Sequence, residues 1–470
     1  MPRFLILSFA PVSRILLSCF AALLALNLAF LGIRLADNLV SKSIVEKELR
    51  VGFSNGSMSI TSYPGNMLIG RDQYSDCIIA QLAVLGGADA LHDAIAPRLL
   101  HLEQVGPDGQ PITYQACGEL KRYLDGNNRH IPGATYTRFW QGGASLLALG
   151  LSFLPVDGYR GLLLNLSLGL IALTAVLAAR GPPQLLTALA PLLALSFLFG
   201  GQVGYAQLFS YGPPQIVMWG IAAGMIAFRG CLTIGRMMPI AVTAGALEAF
   251  FDQIISVPLA AVVFALVAGF VLQVNAAPQR TRDAAATMAL LFGAWIFGFA
   301  GSYAIKLLIS VALLGWAPIH DFVTQLLFRA GTVDPQFGFG PERHTSRLVM
   351  LGSNFVALLA NSWRLGYTSR NSEAVGCLVV AAVMLVGWVT ALSTLLTLPR
   401  DARDRFTAAG MPYIAAAVFL LLWVIALPEH TIRHAFFMVR SAVPWLIGGW
   451  GWILAAHRSD RRQTTEAGPS

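Results

Sequence analysis

The chain has 470 residues, of which 56% are hydrophobic and only 12% charged, and its mean hydropathy is +0.64. Soluble domains carry about 25% charged residues, so this composition belongs to a membrane protein. The net charge of +8 does not indicate a nucleic-acid partner: the arginines sit in clusters between apolar runs, not in a basic stripe with interleaved aromatics.

Arg3 and Arg14 precede an apolar run to Leu31, and the junction beyond it has no small-x-small cleavage site. The run reads as an uncleaved signal anchor, a first span over 13–35 within an N-terminal unit 1–35. A polar stretch, 36–137, follows. It mixes short amphipathic runs such as Ile79–Leu85 with turn signals at Asp108-Gly, Asp125-Gly and Pro132-Gly. Cys77 and Cys117 are the only cysteines in it, and an even pair in an oxidising compartment suggests a disulfide.

The segment 139–155 is short and opens on Phe139 and Trp140, which suits an interfacial helix that closes an outer region 36–160. Spans are then predicted at 161–179, 184–200, 215–228, 238–252, 256–274, 285–303, 375–397, 411–427 and 441–456. In this register every inner turn is basic: Arg180; Arg229 and Arg236; Arg280 and Arg282; Arg400, Arg403 and Arg405; Arg458, Arg461 and Arg462. The fold class is therefore an all-α polytopic membrane protein of about ten transmembrane helices with a long first extracytoplasmic loop. Its parts are a bundle over 161–303, a second outer loop 304–374, C-terminal helices over 375–457 and a cytoplasmic tail 458–470 read as disordered. The Gly200–Gln207 run reads as a loop, since it follows a span and lacks a phosphate-loop lysine.

Carboxylates that could work as a base fall in two places. Asp72 and Asp76 are four apart where a short helix is predicted to open, so a helix puts them on one face, and neighbouring carboxylates raise one another's pKa. The alternative is that they cap or solvate that helix. Glu248 and Asp252 are also four apart, near the outer end of a span, where a carboxylate either orients a substrate or makes a structural hydrogen bond. Lys306 ends the 285–303 span and is placed either to hold a phosphate or to snorkel. The 304–374 loop is basic on the outer side, which suits an anionic lipid headgroup, and His320 and His344 join the substrate-binding set there. The last outer turn carries His430, Arg433, His434 and Arg440. No third zinc ligand accompanies the two histidines, so an Arg/His phosphate clamp fits better than a metal.

A short first span, a long outer loop with an acidic motif near its start (Arg71-Asp-Gln-Tyr-Ser-Asp) and many later spans resemble the GT-C superfamily of integral membrane glycosyltransferases. Tyr136-Thr-Arg-Phe-Trp-Gln-Gly, Phe250-Phe-Asp-Gln-Ile-Ile-Ser-Val-Pro-Leu, Gly301-Ser-Tyr-Ala-Ile-Lys and the run from His430 to Arg440 look like a bacterial branch of it that includes arabinofuranosyltransferases. Where the similar run has Trp-His, this chain has Trp140-Gln141. The resemblance implies a polyprenyl-phosphate-sugar donor, an extracytoplasmic protein or glycan acceptor, and a multi-pass location in a bacterial inner membrane with the active site facing the periplasm. It makes Asp72 the catalytic residue, Asp76 and Asp252 its partners, and Lys306, His430, Arg433, His434 and Arg440 the donor-phosphate contacts. Some relatives use a divalent metal and others none, and the sequence leaves that open. A transporter or lipid-linked-sugar flippase, or a surface polysaccharide ligase or polymerase, competes for the same pattern. Transporters commonly show paired halves, and no internal repeat is visible here.

Overall fold

The computed structural model describes residues 9–60, 73–85, 89–100, 116–126, 134–137, 139–198, 201–251, 256–275, 280–330, 373–433 and 443–466. Among these the protein is all-α apart from one two-residue antiparallel ladder, β1 (Arg98–Leu99) with β2 (Ala134–Thr135). Six helices are long and apolar enough to cross a membrane. They are α1 (Phe9–Ala36), α7 (Val156–Ala179), α11 (Ile234–Phe251), α12 (Val257–Asn275), α13 (Thr281–Leu314) and, in the C-terminal part, Arg400–Ala426. The chain is a multi-pass membrane protein.

Which faces are apolar fits a lipid solvent. Leu16, Leu17, Phe20, Leu24 and Leu28 of α1 are exposed, as are Leu162, Leu166 and Leu173 of α7. In water this would be an aggregation surface, whereas in a bilayer it is the lipid-facing stripe. Helix α12 is the opposite case. It is buried from Val257 to Val271 and forms the centre of the bundle. The remaining helices that match predicted spans are α8 (Pro183–Leu198), α10 (Gly212–Ala227), α15 (Glu373–Thr397) and α18 (Val443–Glu466). Between the last two lies α16, the Arg400–Ala426 helix already named, followed by the short α17 (Pro428–Arg433). Helix α18 runs past the predicted end of its span to Glu466, so the tail read as disordered begins as helix.

Bundle helices approach closely where both sides are small. A Cβ on Gly245 of α11 would lie 2.0 Å from the Trp295 carbonyl of α13, and one on Gly298 of α13 would lie 2.1 Å from the Val242 carbonyl. Such crossings let backbones touch where lipid supplies no hydrophobic drive. Cross-helix contacts also fix which ends lie together. Ile15 meets Gly235, Phe30 stacks on Phe250, Asn275 donates to the Arg229 and Leu232 carbonyls, and Thr281 donates to Asp404. Leu163 meets Gly212 and Leu170 meets Gly220, so α7 and α10 descend together. Arg14, Arg180, Arg229, Arg236, Arg280, Arg282 and Arg400 therefore gather at one end.

The opposite end carries a cap of short helices: α2 (Lys42–Ser54), α3 (Gln73–Val84), α4 (Ala90–Ile95), α5 (Ala116–Leu124) and α6 (Gly142–Leu151). Their core is Val45, Leu49, Met58, Ile79, Leu82, Leu120, Leu124, Leu147 and Leu151. Helix α3, whose second half reads as amphipathic in the sequence, is instead buried on nearly all sides. Cys77 and Cys117 are bonded and tie α3 to α5. With ten residues, α6 is about 15 Å long, too short to span. It is wedged between cap and bundle, not laid along the surface. The glycine-rich run read as a loop forms a short helix, α9 (Gly201–Ala206).

The predicted end of the 285–303 span is overrun. Helix α13 continues to Leu314 and, at 34 residues, is about 51 Å long, well beyond a hydrocarbon core of about 30 Å. It stops at Gly315 and a further helix, α14 (Ala317–Arg329), folds back beside it. The outer region that begins at 304 in the sequence reading thus opens with a helical hairpin.

Candidate functional site

The seam between cap and bundle is the run Thr137 to Gly143. Gln141 is the one non-glycine residue with positive φ among the described residues, at 63°, and this left-handed turn starts α6. Two glycines follow because the neighbours leave no room. Gly142 lies against the Phe250 ring, and Gly143 lies against the Phe209 carbonyl and Ile79. Phe250 is stacked on Phe30 at 4.1 Å and Trp140 meets Phe30 edge-on at 6.0 Å, so ends of α1 and α11 close on this turn. The Trp140 indole donates to the Ser302 carbonyl (3.2 Å), and Asn27 Nδ2 donates to Ser302 Oγ (3.0 Å). Three runs singled out in the sequence, around Phe139, Phe250 and Gly301, therefore converge.

Lys306 sits on the bundle side of the seam and is 1% exposed. Its ammonium donates to the Thr137 carbonyl at 2.8 Å and to the Phe139 carbonyl. No described carboxylate lies within ion-pair distance of it. The sequence puts Lys306 at a span end, placed to hold a phosphate or to snorkel. Instead it is enclosed well inside a longer helix.

Across the seam, Arg34 ends α1 almost fully buried. It pairs with Asp37 and donates to Ser145 Oγ at 3.1 Å, and Ser145 in turn donates to Asp37 at 2.8 Å. Burial pushes the Asp37 carboxyl up against the opposing pull of Arg34, Ser145 and Lys42, and burial pulls the Lys42 ammonium down. Two buried cations, Arg34 and Lys306, thus flank the segment of Thr137 and Phe139–Gln141, and one of them lacks a described counter-ion.

Asp76 lies on the other flank and is fully buried. Its Oδ1 accepts from the Phe209 N–H at 2.7 Å and the Ser210 N–H at 3.4 Å, and its Oδ2 accepts from Arg160 Nη2 at 3.0 Å. Burial pushes its carboxyl up to about 6 despite Arg160 and the two backbone donors. With every oxygen engaged and none exposed, Asp76 positions α3 against α7 and the turn before α10. Arg160 adds a contact over the Phe209 ring at 4.9 Å. Nothing in the sequence marked Arg160, Arg34, Asp37 or Ser145. Their partners are 84 to 111 residues away or across a helix end, and no local spacing reports that.

Of the other predicted residues, Glu248 is buried in the last turn of α11. His430 is 2% exposed, and its Nδ1 lies 3.3 Å from Arg329 Nη1. A guanidinium only donates, so Nδ1 is the acceptor in this contact. His320, on α14, is exposed. Arg433 belongs to α17, and its side chain is not among those described; Asp72, Asp252, His344, His434 and Arg440 lie outside the described residues. Among the described residues no group of three or more His, Cys, Asp or Glu could hold a metal. No protein-family model, curated protein or solved structure matches this chain.

Proposed function

We propose that the protein is an integral membrane glycosyltransferase. It moves a sugar, a pentofuranose such as arabinofuranose by the motif resemblance, from a polyprenyl-phosphate carrier to a hydroxyl on a protein or glycan. The observation that carries this reading is Lys306: a buried ammonium held by two carbonyls, without a described carboxylate, at the capped end of a multi-pass bundle. A buried cation is costly unless an anion joins it, and a lipid phosphate approaches from the depth at which this one sits.

The capped end is read as extracytoplasmic. It holds the disulfide, while the arginine-rich turns and the exposed thiol of Cys231 lie at the other. The membrane is then a bacterial inner membrane and the site faces the periplasm. In the reaction a carboxylate takes the acceptor hydroxyl proton, the acceptor oxygen bonds to the anomeric carbon, and the bond from that carbon to the phosphate oxygen breaks. The base is assigned to Asp72, the residue immediately before α3, whose first turn Asp76 fixes. Lys306, with Arg433, His434 and Arg440, is assigned to the departing lipid phosphate, where fixed cations stabilise developing charge.

The test compares envelope proteins and glycans from cells carrying wild type, a deletion, Asp72→Asn and Lys306→Met, by intact mass and glycan analysis. Loss of one sugar mass in the deletion and in Asp72→Asn is expected, with the protein still in the membrane. Lys306→Met should slow transfer by about 10²–10³-fold, the usual effect of removing one charge-stabilising donor. A deletion that alters glycans while both variants remain fully active would favour a flippase or another carboxylate.

A further inference from the structure

Lys306 is sealed, so an anion reaches it only when something moves. Of the described elements around it, α11 and α13 are locked by their glycine crossings and the segment holding Thr137 and Phe139–Gln141 is pinned by Trp140 and Arg34. The remaining described wall is α14. The small cleft at Lys306 is lined by Thr137, Tyr303 and Leu307 on one side and by Pro318 and Phe322 of α14 on the other. Helix α14 joins α13 through Gly315 at φ 72° and ψ −156°, a backbone region open essentially to glycine alone. A Cβ there would meet nothing within 4 Å, so the joint is unpacked.

At its far end α14 is held through Arg329. Arg329 bonds to His430 and lies over the Phe139 ring at 5.9 Å, and Phe139 supplies a carbonyl to Lys306. Val323 and Leu327 of α14, and Trp316 just before it, are exposed. Such a helix can swing while its apolar face stays in the membrane interface.

We propose that α14 is a hinged cover over Lys306, pivoting at Gly315 and latched by Arg329 on His430 and Phe139, and that it opens to admit a lipid-borne phosphate. The ligand class rests on the transferase reading; the cover itself does not. Release of Arg329 unloads Phe139 and so frees a carbonyl partner of Lys306. The same guanidinium is then available to the phosphate, for which a planar fork of donors is suited.

The experiment uses the full chain in phosphatidylcholine nanodiscs, with Cys19, Cys231 and Cys377 replaced by Ala, the native disulfide kept and Tyr303→Cys as reporter. A charged methanethiosulfonate should modify Tyr303→Cys slowly, and at least tenfold faster when Arg329→Met is added. A Leu307→Cys/Phe322→Cys pair, oxidised to fasten α14 in its seated position, should abolish the acceleration. Fast modification in the parent, or a rate unchanged by Arg329→Met in protein that remains monodisperse, would overturn the cover. Adding undecaprenyl phosphate should change the rate and undecaprenol should not. If Arg329→Met opens the site but neither lipid has an effect, the cover stands and the phosphate ligand is wrong.

Discussion

Gly142→Ala tests whether the cap is seated on the bundle through a single tight contact. The added Cβ would fall 2.3, 2.4 and 2.9 Å from three carbons of the Phe250 ring, where carbon atoms prefer about 3.5–4.0 Å. The ring must retreat by more than 1 Å, but it is 1% exposed and boxed by Phe30 at 4.1 Å and Phe251 at 4.8 Å. Overpacking of this kind costs about 1–3 kcal/mol, and the enclosure puts Gly142→Ala at the upper end. Phe250→Ala alone should cost about 3–5 kcal/mol by leaving a cavity. Together the two changes relieve one another, since the new methyl points into the space the ring vacates. The double variant should therefore be no less stable than Phe250→Ala, a coupling of about 2–3 kcal/mol between the sites. Equilibrium unfolding of the four proteins in detergent micelles measures this. Additivity within about 0.5 kcal/mol would refute the contact.

Other perturbations follow from the same geometry. An ordinary Asp titrates near 3.9, so with Asp76 raised to about 6 the folded state binds more protons than the unfolded state between those values. Stability should fall by roughly 3 kcal/mol as pH rises from about 4 to about 6, and Asp76→Asn should flatten that slope in pH-dependent unfolding. Removing the Cys77–Cys117 bond, which closes a 40-residue separation, should cost about 4 kcal/mol, read as a thermal midpoint lowered by reductant in wild type but not in a double Ser variant. Gly298→Ala should cost about 3 kcal/mol or prevent folding, because its Cβ would collide with the Val242 carbonyl. Gly293→Ala in the same helix meets nothing and should be neutral or stabilising by up to about 1 kcal/mol. Gel filtration and thermal unfolding separate the two.

The sequence by itself determined the solvent. Long apolar runs broken by basic turns can be satisfied only as helices in a bilayer, because each helix closes its own backbone hydrogen bonds. That is why six of the described helices are long and apolar enough to cross a membrane, and why the described basic turns gather at one end. Cys77 and Cys117 were legible as a pair because they alone share the polar stretch. Helix ends were less legible: Leu307 to Leu314 continue α13 because nothing local stops a helix before Gly315, and composition alone had assigned them to a loop. The role of each charge was the least legible. Asp76 reads by spacing as a base or a helix cap, and its burial and its partners come from Arg160 and the Phe209 N–H, 84 and 133 residues on, which fold onto it. Lys306 reads as a phosphate holder or a snorkelling side chain, and stands enclosed because Thr137, Phe139 and α14 close over it. Charge in a protein of this kind is governed by burial and by partners distant in the chain, and only tertiary packing brings those together.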